Sequence, residues 1–378
     1  MTDPILIGFA DAFAAIETAW SLTDAGHEVV AFSRRGTKPA LAASRRVRII
    51  PVTPPEQNAT ACITEVAEAA TRLGAAALLP LDDLALWICD RTNHRVAGAT
   101  GKTATFALDK RLQIAAAAEA GFPIPDRSPG PWIVKAALAV VEQNNRLLRP
   151  GGRIATTEED VEQATTDLAG PVLIQHLLTG TGEGIFGFAT PTGIHAWSGH
   201  TRIRMADPRG SASSACRSTP VDPELRTRTE KLLTSINWRG MFMLELLRTP
   251  DGTPWFMELN GRPWGSMALA LRRGFPYPVW AVNQALDPTF TPQTPTPEPP
   301  HLTCRHLGRE LIHLAAVLRG PLPDHPGPWP TRTATIKALR PHRTDHWYNL
   351  RPGESRIFWR DTWTTLTTQA SRLRKRTP

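Results

Sequence analysis

Apolar residues in the first hundred positions fall into short runs that alternate with longer amphipathic stretches. The runs predict strands at residues 5–8, 28–32, 47–50 and 76–80, and the stretches between them predict helices at 13–24 and 65–74. Strands that alternate with helices of this length form βαβ units, whose strands run parallel. We therefore predict a parallel α/β domain over residues 1–104.

A second group of elements mixes helices with antiparallel strands. Asp109 lies where it can cap a helix, and Thr157 with Asp160 forms a capping-box pattern that begins another helix. The predicted elements are a helix at 110–120, a strand at 132–135, a helix at 157–168, a strand at 172–175, antiparallel strands within 184–204, a helix at 223–236 and a hairpin of 241–247 with 255–259. We divide this region into two α+β subdomains, 105–178 and 179–286.

Proline interrupts the remaining part of the chain, residues 287–378. Six of the fourteen residues between Asp287 and Pro300 are proline, and a second cluster covers 321–330, with a helix predicted between them at 305–318. Because proline favours extended segments, we expect a proline-rich α/β arm. It would pack back on the preceding domain through four tryptophans: Trp329, Trp347, Trp359 and Trp363.

The net charge of +8 is concentrated in this arm. Between Thr331 and Pro378 there are 11 Lys and Arg against 3 Asp and Glu, so the rest of the chain is balanced. A basic segment with tryptophans could bind nucleic acid through its phosphates. The alternative is a solvated helical face whose last residues, 372–378, fray. We favour it, because the pattern fits no nucleic-acid-binding module.

Composition excludes several classes of protein. Apolar residues make up 41% and charged residues 21% of the 378, which indicates a globular chain and not a disordered, collagen-like or coiled-coil one. No run approaches the ~18 uncharged apolar residues of a membrane span, and no basic leader precedes the first strand. We expect a cytoplasmic protein without a membrane partner, and reduced, mostly buried thiols at Cys62, Cys89, Cys216 and Cys304.

Three glycines match the spacing of a dinucleotide-binding loop, G-x-G-x-x-G: Gly182, Gly184 and Gly187. Such a loop follows a strand and opens a helix. Here the glycines run into residues 188–191, which have the pattern of a strand and a turn. We therefore expect them to lie in a strand, and we expect no nicotinamide site.

Two carboxylates lie within apolar strands near the predicted hairpin. Glu258 and Asn260 are two residues apart, so on a strand they share a face, and Glu245 can join them from the neighbouring strand. Two carboxylates and an amide oxygen suit Mg²⁺ when phosphate oxygens complete its shell, and Arg262 could then face a phosphoryl group in transfer. The residues equally allow a structural cluster in which arginines neutralise both glutamates.

Lys135 ends the apolar strand at 132–135, where a lysine is unusual. A cation close to nucleotide phosphates would explain it. The alternative is an edge lysine whose side chain extends to water.

The order and spacing of several motifs resemble the ATP-grasp superfamily, and within it the branch similar to the carbamoyl-phosphate synthase large chain. The most specific motif, at 257–266, reads Met-Glu-Leu-Asn-Gly-Arg-Pro-Trp-Gly-Ser; the others lie at 109–110, 121–125, 133–135, 172–180 and 200–204. The resemblance covers roughly residues 1–285. It implies a Rossmann-like parallel α/β domain followed by an ATP-grasp fold of two α+β subdomains.

The resemblance also implies roles for individual residues. For the nucleotide, it implies that Lys135 contacts the ATP phosphates, that the hinge residues Gln175, His176 and Leu178 bind adenine, and that the ribose contact lies near Glu183. For the substrate, it implies contact by Arg202 and Arg204. For the reaction, it implies that Glu245, Glu258 and Asn260 bind Mg²⁺ and that Arg262 stabilises the moving phosphoryl group. The chain departs from the family twice. His176 replaces the usual hinge acid, and residues 136–149 hold no glycine where a glycine-rich lid is usual.

These roles imply an ATP- and Mg²⁺-dependent ligase that activates a carboxylate as an acyl phosphate and joins it to an amine. Its partners would be small molecules, with an amino acid or peptide as the carboxylate, and a homodimer is compatible with the sequence. Two alternatives stay open: a ligase with a hydroxyl or ammonia acceptor, and an ATP-binding sensor without turnover.

Overall fold

The computed structural model describes residues 3–208, 210, 212–295, 301–321 and 329–374, with side chains described up to Ser371. The helices are α1 Ala15–Asp24, α2 Ala59–Leu73, α3 Asp83–Cys89, α4 Lys102–Leu108, α5 Lys110–Glu119, α6 Glu158–Asp167, α7 Pro223–Ser235, α8 Met267–Arg272, α9 Tyr277–Leu286, α10 Leu307–Arg319, α11 Arg332–Leu339 and α12 Ser355–Arg374. The strands are β1 Ile5–Gly8, β2 Val29–Arg34, β3 Val47–Val52, β4 Ala77–Pro80, β5 Trp132–Ala136, β6 Val141–Gln143, β7 Arg146–Leu148, β8 Gly152–Ala155, β9 Val172–His176, β10 Thr181–Thr190, β11 Gly193–Met205, β12 Ser213–Thr219, β13 Gly240–Arg248, β14 Pro254–Asn260, β15 Thr303–Arg305 and β16 Asp345–Trp347.

The first four strands form one parallel sheet in the order β3-β2-β1-β4. Both faces of this sheet pack into apolar cores, which explains why its strands read as continuous apolar runs. The four predicted strands and two predicted helices are confirmed, although α2 starts earlier, at Ala59, because Asn58 caps it. Helix α3 was not predicted; it places Asp83 just beyond the end of β4.

The next region holds a three-stranded antiparallel sheet in the order β8-β5-β9. Asp109 caps α5, and Thr157 with Asp160 forms the predicted capping box at α6. In place of a glycine-rich lid, strands β6 and β7 form a hairpin. Its turn bonds to the first domain, since Ala59 N–H donates to Asn145 O at 2.7 Å.

A seven-stranded sheet carries the rest of the chain, in the order β14-β13-β10-β11-β12-β15-β16. All neighbours in it are antiparallel except β15 and β16. The three glycines with dinucleotide-loop spacing lie within β10, as predicted, and no helix follows them.

The C-terminal extension continues this sheet with β15 and β16 and adds helices α10 to α12. It docks through Tyr348, Ile357 and Phe358, which are buried. Two of the four tryptophans predicted to dock do not: Trp359 is 62% and Trp363 69% exposed. The expected proline arm at 296–300 and 322–328 and the basic end at 375–378 lie outside the described residues.

Two further expectations can be checked in the described ranges. The four cysteines are all free and buried. None of the described helices combines the length and the apolar character that crossing a membrane requires.

Candidate active site

Two carboxylates oppose each other at the edge of the seven-stranded sheet. The register of β13 and β14 places Glu245 directly opposite Glu258 and Met243 opposite Asn260. Directly opposed residues of antiparallel strands point to the same face, so the two carboxylates and the amide share it. The geometric part of the prediction from the hairpin pattern is confirmed.

Each carboxylate of this pair has a cationic partner. Arg202 Nη2 lies 2.6 Å from Glu245 Oε1, and Lys110 Nζ lies 3.2 Å from Glu258 Oε2. Burial raises the pKa of Glu245 in spite of Arg202, and the charge of Glu258 adds to the rise. Burial also acts on Glu258, but Lys110 and Arg262 outweigh it and lower the pKa of that carboxyl.

The glycines of β10 leave room for two side chains of β11. A Cβ added at Gly182 would lie 2.6 Å from Arg202 Cδ, and one added at Gly184 would lie 2.8 Å from His200 Cε1. The spacing that imitates a dinucleotide loop therefore has a different cause. It lets Arg202 lie across the sheet and reach Glu245.

A methyl group at Gly182 should therefore act on the site indirectly, through a neighbouring side chain, and not by occupying the space beside the carboxylates. We expect Gly182→Ala to displace Arg202 from Glu245 and to lower turnover by about 10- to 100-fold, as small misplacements of catalytic groups do. Steady-state kinetics would measure this, with Gly151→Ala as the matched control, because nothing lies within 4 Å of a Cβ there. Equal turnover of the two variants would contradict the role given to Gly182.

Arg262 joins the site from the loop after β14 and is held by the first domain. Its Nε donates to Asp83 Oδ1 at 2.8 Å and its Nη2 to Asp83 Oδ2 at 3.2 Å. Burial opposes its charge, but Asp83 outweighs burial and raises the pKa of Arg262. The sequence analysis missed Asp83, since its one signal, an acid at the start of a helix, also fits an ordinary cap.

Lys135 lies in β5 with its side chain toward the same group of charges. Burial lowers its pKa to about 8, and Lys110 contributes to the lowering while Glu258 and Glu245 oppose it. The two glutamates therefore compensate the charge of Lys135 only in part, since burial and the neighbouring cation still lower its pKa. An anionic ligand would complete the compensation, and this favours the phosphate interpretation over an edge lysine in water.

Arg204 does not lie with Arg202 at the paired carboxylates, although the resemblance implies substrate contact for both. A β-bulge between them shifts the register, so Arg202 pairs with Cys216 but Arg204 pairs with Ala215. The guanidinium of Arg204 instead makes two hydrogen bonds to Glu310 of α10, at 3.0 and 2.8 Å. Arg204 therefore has a structural partner and not a substrate-facing position.

The hinge residues lie at the end of β9. Three donors of the hinge bond to three different carbonyls of the loop 125–131. They are the side-chain amide of Gln175 and the backbone N–H groups of His176 and Leu177. No acceptor for the N–H of Leu178 lies among the described residues. This leaves one hinge donor for a ligand, as adenine binding would need.

Glu183 points away from the paired carboxylates. It lies on β10 opposite Leu246, one residue out of phase with Glu245, and so faces the other side of the sheet. There it makes a two-pronged ion pair with Arg248, at 2.8 and 2.9 Å. Its ribose role stays a prediction.

A cavity of about 170 Å³ opens over the paired carboxylates. Its wall includes the expected residues Arg202, Glu245, Glu258, Asn260 and Arg262, and it also includes residues that the sequence did not single out, namely His200, Arg309 and Tyr348. Two of these, Arg309 and Tyr348, come from the C-terminal extension, and no sequence motif indicated that the extension reaches the site. Only tertiary contact brings them there.

Two of the unexpected residues have unusual environments. The Nδ1 of His200 lies 2.7 Å from Ser266 Oγ, while its buried Nε2 has no hydrogen-bond partner in the described part of the chain. Burial lowers the pKa of His200 to about 3, so the ring is neutral at ordinary pH. Burial also lowers the pKa of Arg309 to about 10; its guanidinium lies 3.5 Å from the centre of the Phe13 ring.

The donor set fits Mg²⁺ only together with ligand oxygens. Across the described ranges, no group of three or more His, Cys, Asp or Glu side chains is arranged to hold a metal ion. Glu245, Glu258 and Asn260 supply two carboxylates and one amide, and Mg²⁺ commonly binds through one or two carboxylates plus substrate phosphates. The partly buried, mutually repelling carboxylates are suited to such an ion.

Comparison with solved structures finds chains of similar overall fold. The biotin carboxylase domain of Hydrogenobacter thermophilus 2-oxoglutarate carboxylase, in complex with MgADP, ADP and bicarbonate, superposes with a TM-score of 0.61 at 15% identity, over 80% of this chain and 73% of that one. Campylobacter jejuni biotin carboxylase gives 0.59 at 16% identity, over 80% and 74%. The L-amino acid ligase of Bacillus licheniformis gives 0.55 at 14% identity, over 76% of each chain.

The sequence itself matches no family model and no curated protein. Fold likeness at such low identity establishes architecture. The chain has the ATP-grasp fold that its motifs resemble, the fold of the biotin carboxylases and of the L-amino acid ligase.

Proposed function

We propose that the protein is an ATP- and Mg²⁺-dependent ligase. It activates a carboxylate, an amino acid or peptide, as an acyl phosphate, joins it to an amine, and releases ADP and phosphate. The observation that carries this is the shared face of Glu245, Glu258 and Asn260 under one cavity with Arg262. The MgADP complex of the Hydrogenobacter domain and the name of the Bacillus ligase support the nucleotide and the reaction class.

In this proposal the ATP phosphates lie between the two lysines and the paired glutamates. Lys110 and Lys135 would contact phosphate oxygens, and the Leu178 N–H would bond adenine. Glu245, Glu258 and Asn260 would hold Mg²⁺. The Asn260 amide, whose Nδ2 now donates to Glu258 Oε1 at 3.3 Å, would rotate to present its oxygen instead. When bound, the ion would neutralise charge on the phosphates and align them.

The chemistry then needs no nucleophile from the protein. A substrate carboxylate oxygen attacks the terminal phosphorus of ATP, so one P–O bond forms and the bond to ADP breaks. The amine nitrogen attacks the acyl carbon, a C–N bond forms, and phosphate leaves as the nitrogen loses a proton. Arg262 and Arg202 stabilise the oxygens that carry the developing charge.

The charge balance of the cavity favours anionic ligands. Around it are five cations, Arg202, Arg262, Arg309, Lys110 and Lys135, against three carboxylates, Glu245, Glu258 and Asp83. In a partly buried site an excess of cations is costly unless an anion joins them. ATP and an acidic substrate would supply the missing negative charge.

Lys135 offers a direct test of the phosphate assignment. With a pKa of about 8, about half of this lysine is neutral at pH 8, and nearby phosphates should raise its pKa. We therefore expect ATP binding at pH 8 to take up a fraction of a proton. Titration calorimetry in two buffers of different ionisation enthalpy would show it. Lys135→Arg, which is always charged, should bind ATP without that uptake, and equal uptake in the two proteins would refute the assignment.

The proposed reaction is tested by coupled ADP release over a library of amino acids and dipeptides, with product masses. ADP that appears only when an acid is present, together with an amide product, is the expected result. Ester or primary amide products would indicate a hydroxyl or ammonia acceptor. A thermal shift with ATP and Mg²⁺ but no turnover with any acid would indicate a sensor, and a shift with NADH alone would overturn the proposal.

Three finer features belong to the same proposal. We expect the enzyme to act in the cytoplasm, as a monomer or homodimer. The domain bounds would be 1–104, 105–178 and 179–286, with 287–378 as the extension.

A further inference from the structure

The cavity over the paired glutamates is the inner end of a longer passage. It opens into a cleft of about 980 Å³, and Ala212 and Arg309 line both spaces. The cleft runs between the first domain and the C-terminal extension. Its walls mix polar and apolar groups, and the polar ones include Asp11, Arg153 and Thr365.

The cleft leads in turn to a third space with a different character. This pocket of about 210 Å³ lies between α10 and α12, and it shares Asp207, Ile312 and Gln369 with the cleft. We call this space the end pocket. Its apolar wall is formed by Leu311, Ile312, Ala315, Trp329, Leu366 and Ala370. All six belong to the C-terminal extension.

The end pocket leaves apolar side chains accessible at the far end of the cleft. Leu311, for example, is 40% exposed. Contact between these neighbouring apolar groups and water is unfavourable in free energy, and a bound apolar group would remove that contact. Because the pocket is continuous with the cleft, a molecule that reacts over the glutamates can also reach it.

The helix α10 gives the length of this passage. Arg309 lines the central cavity, and Leu311 and Ala315, two and six residues later, line the end pocket. At 1.5 Å per residue the pocket begins about 3 Å and ends about 9 Å beyond Arg309 along the helix axis. An extended peptide covers about 3.3–3.6 Å per residue, so about three residues would reach the far wall of the pocket.

We propose that the end pocket binds the apolar terminal group of an elongated substrate, about as long as a tripeptide, whose other end reacts over Glu245 and Glu258. This rests on the proposed ligase function and specifies its substrate class. The same group could belong to the activated acid or to the acceptor amine. The shared chemistry is an apolar end about three residues away from the reacting group.

The experiment compares substrates of increasing length in wild type and two variants of α12. The acids Leu, Leu-Ala and Leu-Ala-Ala, whose leucine moves away from the reacting carboxylate, are offered with a fixed amine. The amides of Leu, Ala-Leu and Ala-Ala-Leu, whose leucine moves away from the reacting amine, are offered with a fixed acid. Leu366→Trp fills the pocket. Thr367→Trp places the same residue one position along, on an exposed site outside the pocket.

Wild type should favour the longest peptide in one of the two roles, which identifies the acid or the amine. Leu366→Trp should lower kcat/KM for that peptide at least about tenfold, the scale of lost apolar contacts, and leave the shortest substrate unaffected. Thr367→Trp should behave as wild type. Ala315→Phe, which fills the pocket from α10, should reproduce the effect if Leu366→Trp folds poorly.

Two results would overturn the end pocket while the ligase function stands. One is equal loss in the two tryptophan variants, and the other is no preference for length in either role. If no acid supports ADP release, the ligase proposal fails first. Binding of the apolar fluorophore 1-anilinonaphthalene-8-sulfonate then decides about the pocket: weaker binding to Leu366→Trp than to Thr367→Trp supports it, and equal binding refutes it.

Discussion

Replacement of Glu258 by glutamine should remove most of the ligase activity while the protein keeps its fold. The change is nearly isosteric, but it removes one of two carboxylate charges that we assign to Mg²⁺ and the phosphates. Loss of one such interaction in a transition state costs about 3–4 kcal/mol, or roughly 10²- to 10³-fold in kcat. ADP release with a confirmed acid and amine would measure it.

The control for this experiment is Glu224→Gln, the same substitution on α7, where Glu224 is exposed and pairs with Arg228. It should change neither turnover nor stability. A second readout follows from the pairing of Glu258 with Glu245. Without the neighbouring charge, the raised pKa of Glu245 should fall toward its ordinary value. Wild-type turnover in Glu258→Gln would show that the metal assignment is wrong.

Replacement of Glu310 by glutamine should destabilise the protein by about 3–5 kcal/mol, because it leaves buried guanidinium groups without their anion. Glu310 is 2% exposed. Its carboxylate accepts hydrogen bonds from Arg204, Arg305 and Ser214, at distances of 2.7 to 3.1 Å. These contacts tie α10 to β11, β12 and β15. Urea unfolding at pH 7 would measure the loss.

The same contacts make this loss depend on pH. Burial works to raise the pKa of Glu310, but its hydrogen bonds and the charge of Arg204 outweigh burial and lower it below the ordinary 4.5. The stabilisation is therefore fully present above pH 4.5 and is lost as the pH falls through the lower pKa of the folded state. The difference between wild type and Glu310→Gln should shrink below about pH 4.5.

Glu158→Gln is the matched control for stability, since Glu158 is an exposed partner of Arg127. Exposed ion pairs contribute about 0–1 kcal/mol, so little change is expected. If Glu310→Gln unfolds at the same urea concentration as Glu158→Gln, the buried cluster does not hold the extension in place.

Local sequence patterns were sufficient for much of the fold and for the centre of the site. Alternation of apolar residues around the turn at 250–252 predicted the hairpin of β13 and β14. The two-residue period of a strand then placed Glu258 and Asn260 on one face. Asp109 and Thr157 marked helix starts, because capping depends on residues only two or three positions apart.

Other parts of the site depend on contacts between residues far apart in sequence. A bulge in β11 shifts the register between Arg202 and Arg204, and strand periodicity alone cannot reveal a bulge. Asp83 reaches Arg262 across 179 positions, and Arg309 reaches the cavity from a region without a recognisable motif.

The sequence by itself thus determined the order of the elements, the caps and the paired carboxylates, because each depends on neighbours along one strand, turn or helix. The tertiary structure alone decided which cations meet those carboxylates, why β10 needs glycine at Gly182, and that α10 and α12 close the cleft. Each of these features depends on which distant segments pack against each other. The free energy of that packing arises only when the segments exclude water from the space between them.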